Sequence, residues 1–81
     1  MADRFYAPGQ REAMGKEATV KKEPKDKVSR PYAGMKGIVI GHSAGRDFDD
    51  GMGYDPTVTL SIKNPDGSFG AIRVNAYDVE Y

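Results

Sequence analysis

The chain contains no cysteine and no tryptophan. The absence of cysteine excludes a disulfide framework, a thiolate zinc site and a thiol nucleophile together. A domain of at most 81 residues without such staples relies on its core alone, and buries only about 60% of its unfolded surface. Long hydrophobic runs are also missing. The longest apolar segment, Met35 to Ile40, is interrupted by Lys36 and Gly37, well short of the roughly 20 residues that span a bilayer. Met1-Ala2-Asp3-Arg4-Phe5-Tyr6 has no stretch of signal-peptide type. A soluble cytoplasmic protein with no membrane contact is therefore expected. There is no phosphate loop, dinucleotide fingerprint or paired-histidine metal motif. Gly51-Met52-Gly53 precedes no helix-forming segment and reads as loop flexibility.

The formal net charge is zero, yet the two parts of the chain differ. Residues 1–30 carry eight Lys or Arg against five Asp or Glu, while residues 31–81 carry four against seven. Nucleic-acid binders gain affinity by neutralising phosphates and releasing counterions, which calls for a basic excess. The acidic second part lacks it, so any nucleic-acid contact would draw on the first.

Residues 1–30 hold few large apolar side chains: Met1, Phe5, Met14, Val20 and Val28. Their spacing fits neither a helical stripe nor strand alternation. Lys21-Lys22-Glu23-Pro24-Lys25-Asp26-Lys27 mixes charge with proline, a composition that buries too little apolar surface to offset ordering entropy. The expectation is a disordered, charged N-terminal arm over 1–30, with at most a nascent helix near 10–20.

Order is expected from residue 31. Met35 to Ser43 reads as a strand through Ile38-Val39-Ile40, and its glycines mark a bulge, a bend or a close backbone approach. Residues 43–55, rich in Gly and Asp, read as a long loop. Thr57 to Lys63 alternates Val58, Leu60 and Ile62 with Thr59 and Ser61. Asn64-Pro65-Asp66-Gly67 follows, with Pro presetting a type I turn and Gly accepting a left-handed backbone. The predicted register sets Asn64 opposite Ser68, Ile62 opposite Gly70, Leu60 opposite Ile72 and Val58 opposite Val74. Its other face pairs Lys63 with Phe69, Ser61 with Ala71 and Thr59 with Arg73. A slip by one residue would destroy the match. A short helical turn is predicted near Asn75 to Tyr77, then a last strand containing Val79. The sum is an all-β, small antiparallel barrel over 31–81.

Two stretches carry a resemblance to known barrels. Gly34-Met35-Lys36-Gly37-Ile38-Val39-Ile40-Gly41 resembles the opening of KOW-type domains, and Val74-Asn75-Ala76-Tyr77-Asp78-Val79-Glu80 resembles the closing segment of SH3 domains. The resemblance implies an SH3-like β-barrel. KOW-type relatives bind RNA, ribosomes or RNA polymerase. Peripheral photosystem I subunits of similar size use the same barrel to bind protein. The paired tryptophans of the SH3 proline-binding groove are absent here, so proline-helix recognition is not expected.

Chemistry-bearing clusters are few. Asp47, Asp49, Asp50 and Asp55 suggest a hard cation, but aligning Gly51 or Gly53 with the EF-hand glycine puts Phe48, with Arg46 or Met52, where oxygen ligands belong. A solvated acidic loop is the expected state, with no metal and no cofactor. His42 and Ser43 are adjacent in a strand, which sends their side chains to opposite faces rather than into a nucleophile–base pair. The expected function is a non-enzymatic protein–protein interaction module, an accessory or inhibitory subunit of a larger complex and a monomer when free. Its predicted patch comprises Phe48, Met52, Tyr54, Lys63, Phe69 and Arg73. The alternative is a KOW-like RNA or ribosome contact through Lys21, Lys22, Lys25, Lys27, Lys36, Lys63 and Arg73.

Overall fold

The computed structural model describes residues 3–47 and 53–81. It is all-β, with no α-helix among the described residues. Among the described residues there are seven strands: β1 (Asp3–Phe5), β2 (Glu17–Val20), β3 (Lys36–Ser43), β4 (Gly45–Asp47), β5 (Thr57–Lys63), β6 (Phe69–Asn75) and β7 (Val79–Glu80). Five form one antiparallel sheet in the order β6-β5-β3-β2-β7, while β1 pairs with β4 in a two-stranded ribbon. The larger sheet curls into a half-barrel, a form compatible with a small SH3-like barrel.

The β5–β6 hairpin has the predicted register at every pair from Val58↔Val74 to Lys63↔Phe69. Its turn closes as the local chemistry dictates. The Gly67 amide donates to the Asn64 carbonyl at 2.9 Å, the Asn64 amide donates to the Ser68 carbonyl at 2.7 Å, and Gly67 takes φ +89°. Asp66 accepts from the Ser68 amide and hydroxyl, which holds its carboxyl below the usual carboxylate range.

Strand β3 shows what its glycines do. A Cβ at Gly37 would stand 2.5 Å from the Ser61 carbonyl oxygen, so this position demands close backbone approach. The register shifts between Val39 and Gly41, a bulge that leaves Ile40 outside the regular pairing. Val58, Leu60, Val74, Val39 and Val20 line the inside of the curl and are almost wholly buried.

The structure corrects the extent of the expected disordered arm. Glu17–Val20 is a strand inserted between β3 and β7. Val20, Ala18, Ala13 and Ala7 belong to the core. The segment succeeds with few large apolar groups because its alanines pack closely and its polar groups find fixed partners. Ser29 is fully buried, and its hydroxyl accepts from the Asn75 amide at 2.9 Å. The Lys25 and Asp26 amides donate to the Asp78 carboxylate at 2.9 and 3.2 Å. Asn75 donates through Nδ2 to both Asp26 and Asp55. The barrel therefore does not begin at residue 31.

A second buried clamp comes from Gln10. Its Nε2 donates to the carbonyls of Ser43 and Thr57 at 3.0 and 3.1 Å, and its Oε1 accepts from the Ala7 amide at 2.9 Å. Gln10 thus ties residues 7–10 to the end of the β3–β5 ladder, where Ser43 pairs with Thr57. The predicted helical turn is a 3-10 turn over Ala76–Asp78, with the Asn75 side chain accepting from the Tyr77 amide at 2.8 Å.

Candidate functional site

Alternation along β5 and β6 sends one set of side chains into the curl and the other onto its outer face. Strand pairing arranges the outer set in rows. Ala71, Ser61, Ile38 and Glu17 form one row across four strands. Arg73, Thr59 and Gly41 form a second beside it. Phe69 and Lys63 pair in a third. Lys36 lies two residues before Ile38 on β3, and Lys63 two after Ser61 on antiparallel β5, so these lysines share the end of the sheet that holds Phe69.

This face carries large apolar groups in water. Phe69 is 72% exposed, Ile40 51% and Ile38 42%. Exposed side chains scattered singly are ordinary, but several large apolar groups gathered on one face among charges mark an interaction surface. Here Phe69 and Ala71 on β6 and Ile38 and Ile40 on β3 supply two apolar strips on either side of Ser61 and Thr59 of β5, with Lys36, Lys63, Arg73 and Glu17 around them. Ile38 and Ile40 were not among the sequence-derived patch residues, because a contiguous Ile-Val-Ile run reads as core on both faces. Only the pairing of Ile38 with Ser61 and Val39 with Leu60 shows which side faces out.

The predicted patch is only partly brought together. Lys63 and Phe69 are cross-strand partners, and Arg73 lies on the same face of β6. Tyr54 is separate. Its backbone exchanges two 2.9 Å hydrogen bonds with Arg46, extending the β1–β4 ribbon. It precedes Thr57, the far end of β5 from Lys63, and the length of that strand alone is about 20 Å. Phe48 and Met52 lie outside the described residues, as do Asp49 and Asp50. The Asp55 carboxylate accepts from Asn75, and Asp47 ends β4. Among the described residues no group of three or more His, Asp or Glu side chains is placed to hold a metal ion.

Of the lysines in the alternative reading, Lys21, Lys22, Lys25 and Lys27 are exposed beyond the end of β2. Because Thr19 pairs with Lys36, Lys21 and Lys22 continue past the same end of the sheet. Lys25 and Lys27 belong to the turn held against Asp78.

Two other places were candidates for chemistry. The His42 ring packs edge-on against Tyr6 at 5.9 Å, with the Arg11 guanidinium 4.9 Å from the Tyr6 ring centre. Ser43 is exposed, and its carbonyl is held by Gln10. A cleft of about 270 Å³ is lined by Ala7, Pro8, Lys21, Tyr77, Val79 and Tyr81, among others. Burial pushes the Tyr81 phenol up to about 12, and its hydroxyl donates to the Ala76 carbonyl at 3.3 Å. Its lining is chiefly apolar and tyrosyl, and the Tyr81 hydroxyl is already used within the fold.

Among the described residues no helix is long and apolar enough to cross a membrane. No protein-family description matches the chain, and no curated protein or solved structure matches it.

Proposed function

We propose that this chain is a non-enzymatic protein–protein interaction module, an accessory or inhibitory subunit of a larger complex, that binds through the outer face of β3, β5 and β6. The observation that supports this reading is the exposure of Phe69, at 72%, on a sheet face that also exposes Ala71, Ile38 and Ile40. Exposed aromatic and aliphatic anchors concentrate binding energy, while the charged rim orients the partner. In this reading Tyr54 belongs to a separate surface.

The alternative, a KOW-like RNA or ribosome contact, is favoured by one observation: Phe69 shares an end of the sheet with Lys63 and Lys36. An aromatic ring beside cations stacks on a base while the ammonium groups meet phosphates.

A paired experiment separates them. The chain is used as bait in its source extract, alongside Phe69→Ser and Ile38→Thr variants. A stoichiometric protein partner that survives high salt and is lost with either variant supports the module. No partner dependent on these side chains refutes it. In parallel, mixed-sequence RNA is titrated at low salt by proton–nitrogen NMR. Salt-sensitive shifts at Lys36, Lys63, Phe69 and Arg73 would move the reading to RNA, because phosphate binding weakens steeply with salt.

A further inference from the structure

Strand β6 is an edge. It pairs with β5 on one side, and among the described residues no strand pairs with it on the other. The hydrogen bond from the Asn64 amide to the Ser68 carbonyl fixes which groups face which way. Antiparallel pairs alternate between bonded and non-bonded, so Gly70, Ile72 and Val74 turn their amides and carbonyls toward β5. Phe69, Ala71 and Arg73 turn theirs outward. Asn75, the next outward residue, has its amide taken by Ser29 at 2.9 Å. At the other end, the Gly67 amide is spent in the turn. The free edge is thus bounded and three outward residues long, with no proline, bulge or lysine to blunt it. Edges left open in this way are templates for another strand.

We infer that β6 pairs antiparallel with the β6 of a second copy of this chain, about a twofold axis at Ala71. The sequence selects that occupant. With Ala71 opposite its own copy, Phe69 falls opposite Arg73 of the second copy, and Arg73 opposite Phe69. Every outward group of both edges is then engaged in about six interstrand hydrogen bonds. Each guanidinium lies beside an aromatic ring, and the small alanines meet at the axis. Centring on Arg73 sets like charges face to face, and centring on Phe69 leaves Arg73 beyond the end of the strand. The arrangement is isologous and closes at two copies. The inference rests on backbone groups of β6, not on the preceding functional proposal. The contact is small, so self-association is expected to be weak, with a dissociation constant on the order of 10–100 µM.

The test is amide hydrogen exchange combined with sedimentation equilibrium, below and above that concentration. At high concentration the amides of Phe69, Ala71 and Arg73 should become protected as the mass doubles, whereas those of Gly70, Ile72 and Val74 stay protected throughout. Ala71→Pro removes an outward amide and leaves the β5 ladder intact, so it should abolish the dimer while the even-numbered amides remain protected. Should that variant unfold, Phe69→Lys and Phe69→Glu decide the matter. Lysine would face Arg73 of the second copy and weaken association about tenfold or more, while glutamate would retain or tighten it. A monomer at all concentrations, with exposed odd-numbered amides, overturns the inference. So does equal loss with Lys and Glu, which would signify unspecific apolar contact.

Discussion

Replacing Val20 by alanine tests whether the N-terminal residues are part of the barrel. Val20 is fully buried, pairs with Val79, and closes the core between β3 and β7. The substitution removes two methyl carbons from a site with no solvent access. At about 0.8 kcal/mol for each carbon, plus a cavity term, the expected loss is about 2–3 kcal/mol. A chain of 81 residues has a total stability of only about 4–12 kcal/mol. The loss should lower the thermal midpoint by roughly 8–24 °C. Urea denaturation followed by far-ultraviolet circular dichroism measures it directly, with the Val28→Ala variant as control because Val28 is 58% exposed. The slope against urea should stay constant between variant and parent, since the surface exposed on unfolding hardly changes. Deleting residues 1–30 is the stronger perturbation. It removes β2, the partner that joins β7 to the sheet, so residues 31–81 alone should lack dispersed amide resonances. A Val20→Ala midpoint equal to that of the parent, or a well-folded 31–81 fragment, would refute the placement of β2.

Further outcomes follow from the same geometry. Gly37→Ala should cost about 2–3 kcal/mol in chemical denaturation, because the added carbon meets a backbone oxygen at 2.5 Å and the strands must part. Gln10→Ala should cost about 1–3 kcal/mol, since it strands the buried Ala7 amide and takes a partner from the partly buried Ser43 and Thr57 carbonyls. Hydrogen exchange should speed up first at that end of β3 and β5. The Asp26 carboxyl is held below its ordinary range, first by the Val28 amide and then by Asn75 and Arg30. A lowered folded value contributes stability above the unfolded value and loses it as pH falls through the folded one. Stability should therefore decline below about pH 4, and Asp26→Asn should flatten that acid limb in a series of melts.

The parts of the fold legible in the sequence were those set by neighbouring residues. The β5–β6 hairpin follows from strict alternation around Asn64-Pro65-Asp66-Gly67, and its turn needs nothing beyond four residues. The 3-10 turn capped by Asn75 is equally local. Strand β2 was hidden because Glu17-Ala18-Thr19-Val20 offers one large apolar side chain, and its stability depends on two distant strands and on Ser29, Asp26 and Gln10 finding buried partners. Counting bulky residues undervalues alanines that pack against a backbone and polar groups that satisfy one another. The candidate surface divides along the same line. Lys63 and Phe69 were legible as a cross-strand pair. Ile38 and Ile40 were not, since which member of the Ile38-Val39-Ile40 run faces outward depends on the β3–β5 register and its bulge. Tyr54 was grouped with Lys63 and Phe69 as an aromatic anchor in the long loop, whereas its pairing with Arg46 carries it to the other end of β5.

The position of β2 has a kinetic consequence. Thr19 pairs with Glu80 and Val20 with Val79, so the sheet cannot be completed by successive local steps. The β5–β6 hairpin closes a three-residue loop and forms on a timescale of about 1–10 µs. The β2–β7 pairing joins segments from opposite ends of the described chain and pays loop-closure entropy before its contacts return any stability. The hairpin and β3 should therefore assemble first, with β2 and β7 joining the sheet together and last, since β7 reaches the sheet only through β2. Mutations in β5 and β6 should slow folding, whereas those in β2 and β7 should chiefly hasten unfolding.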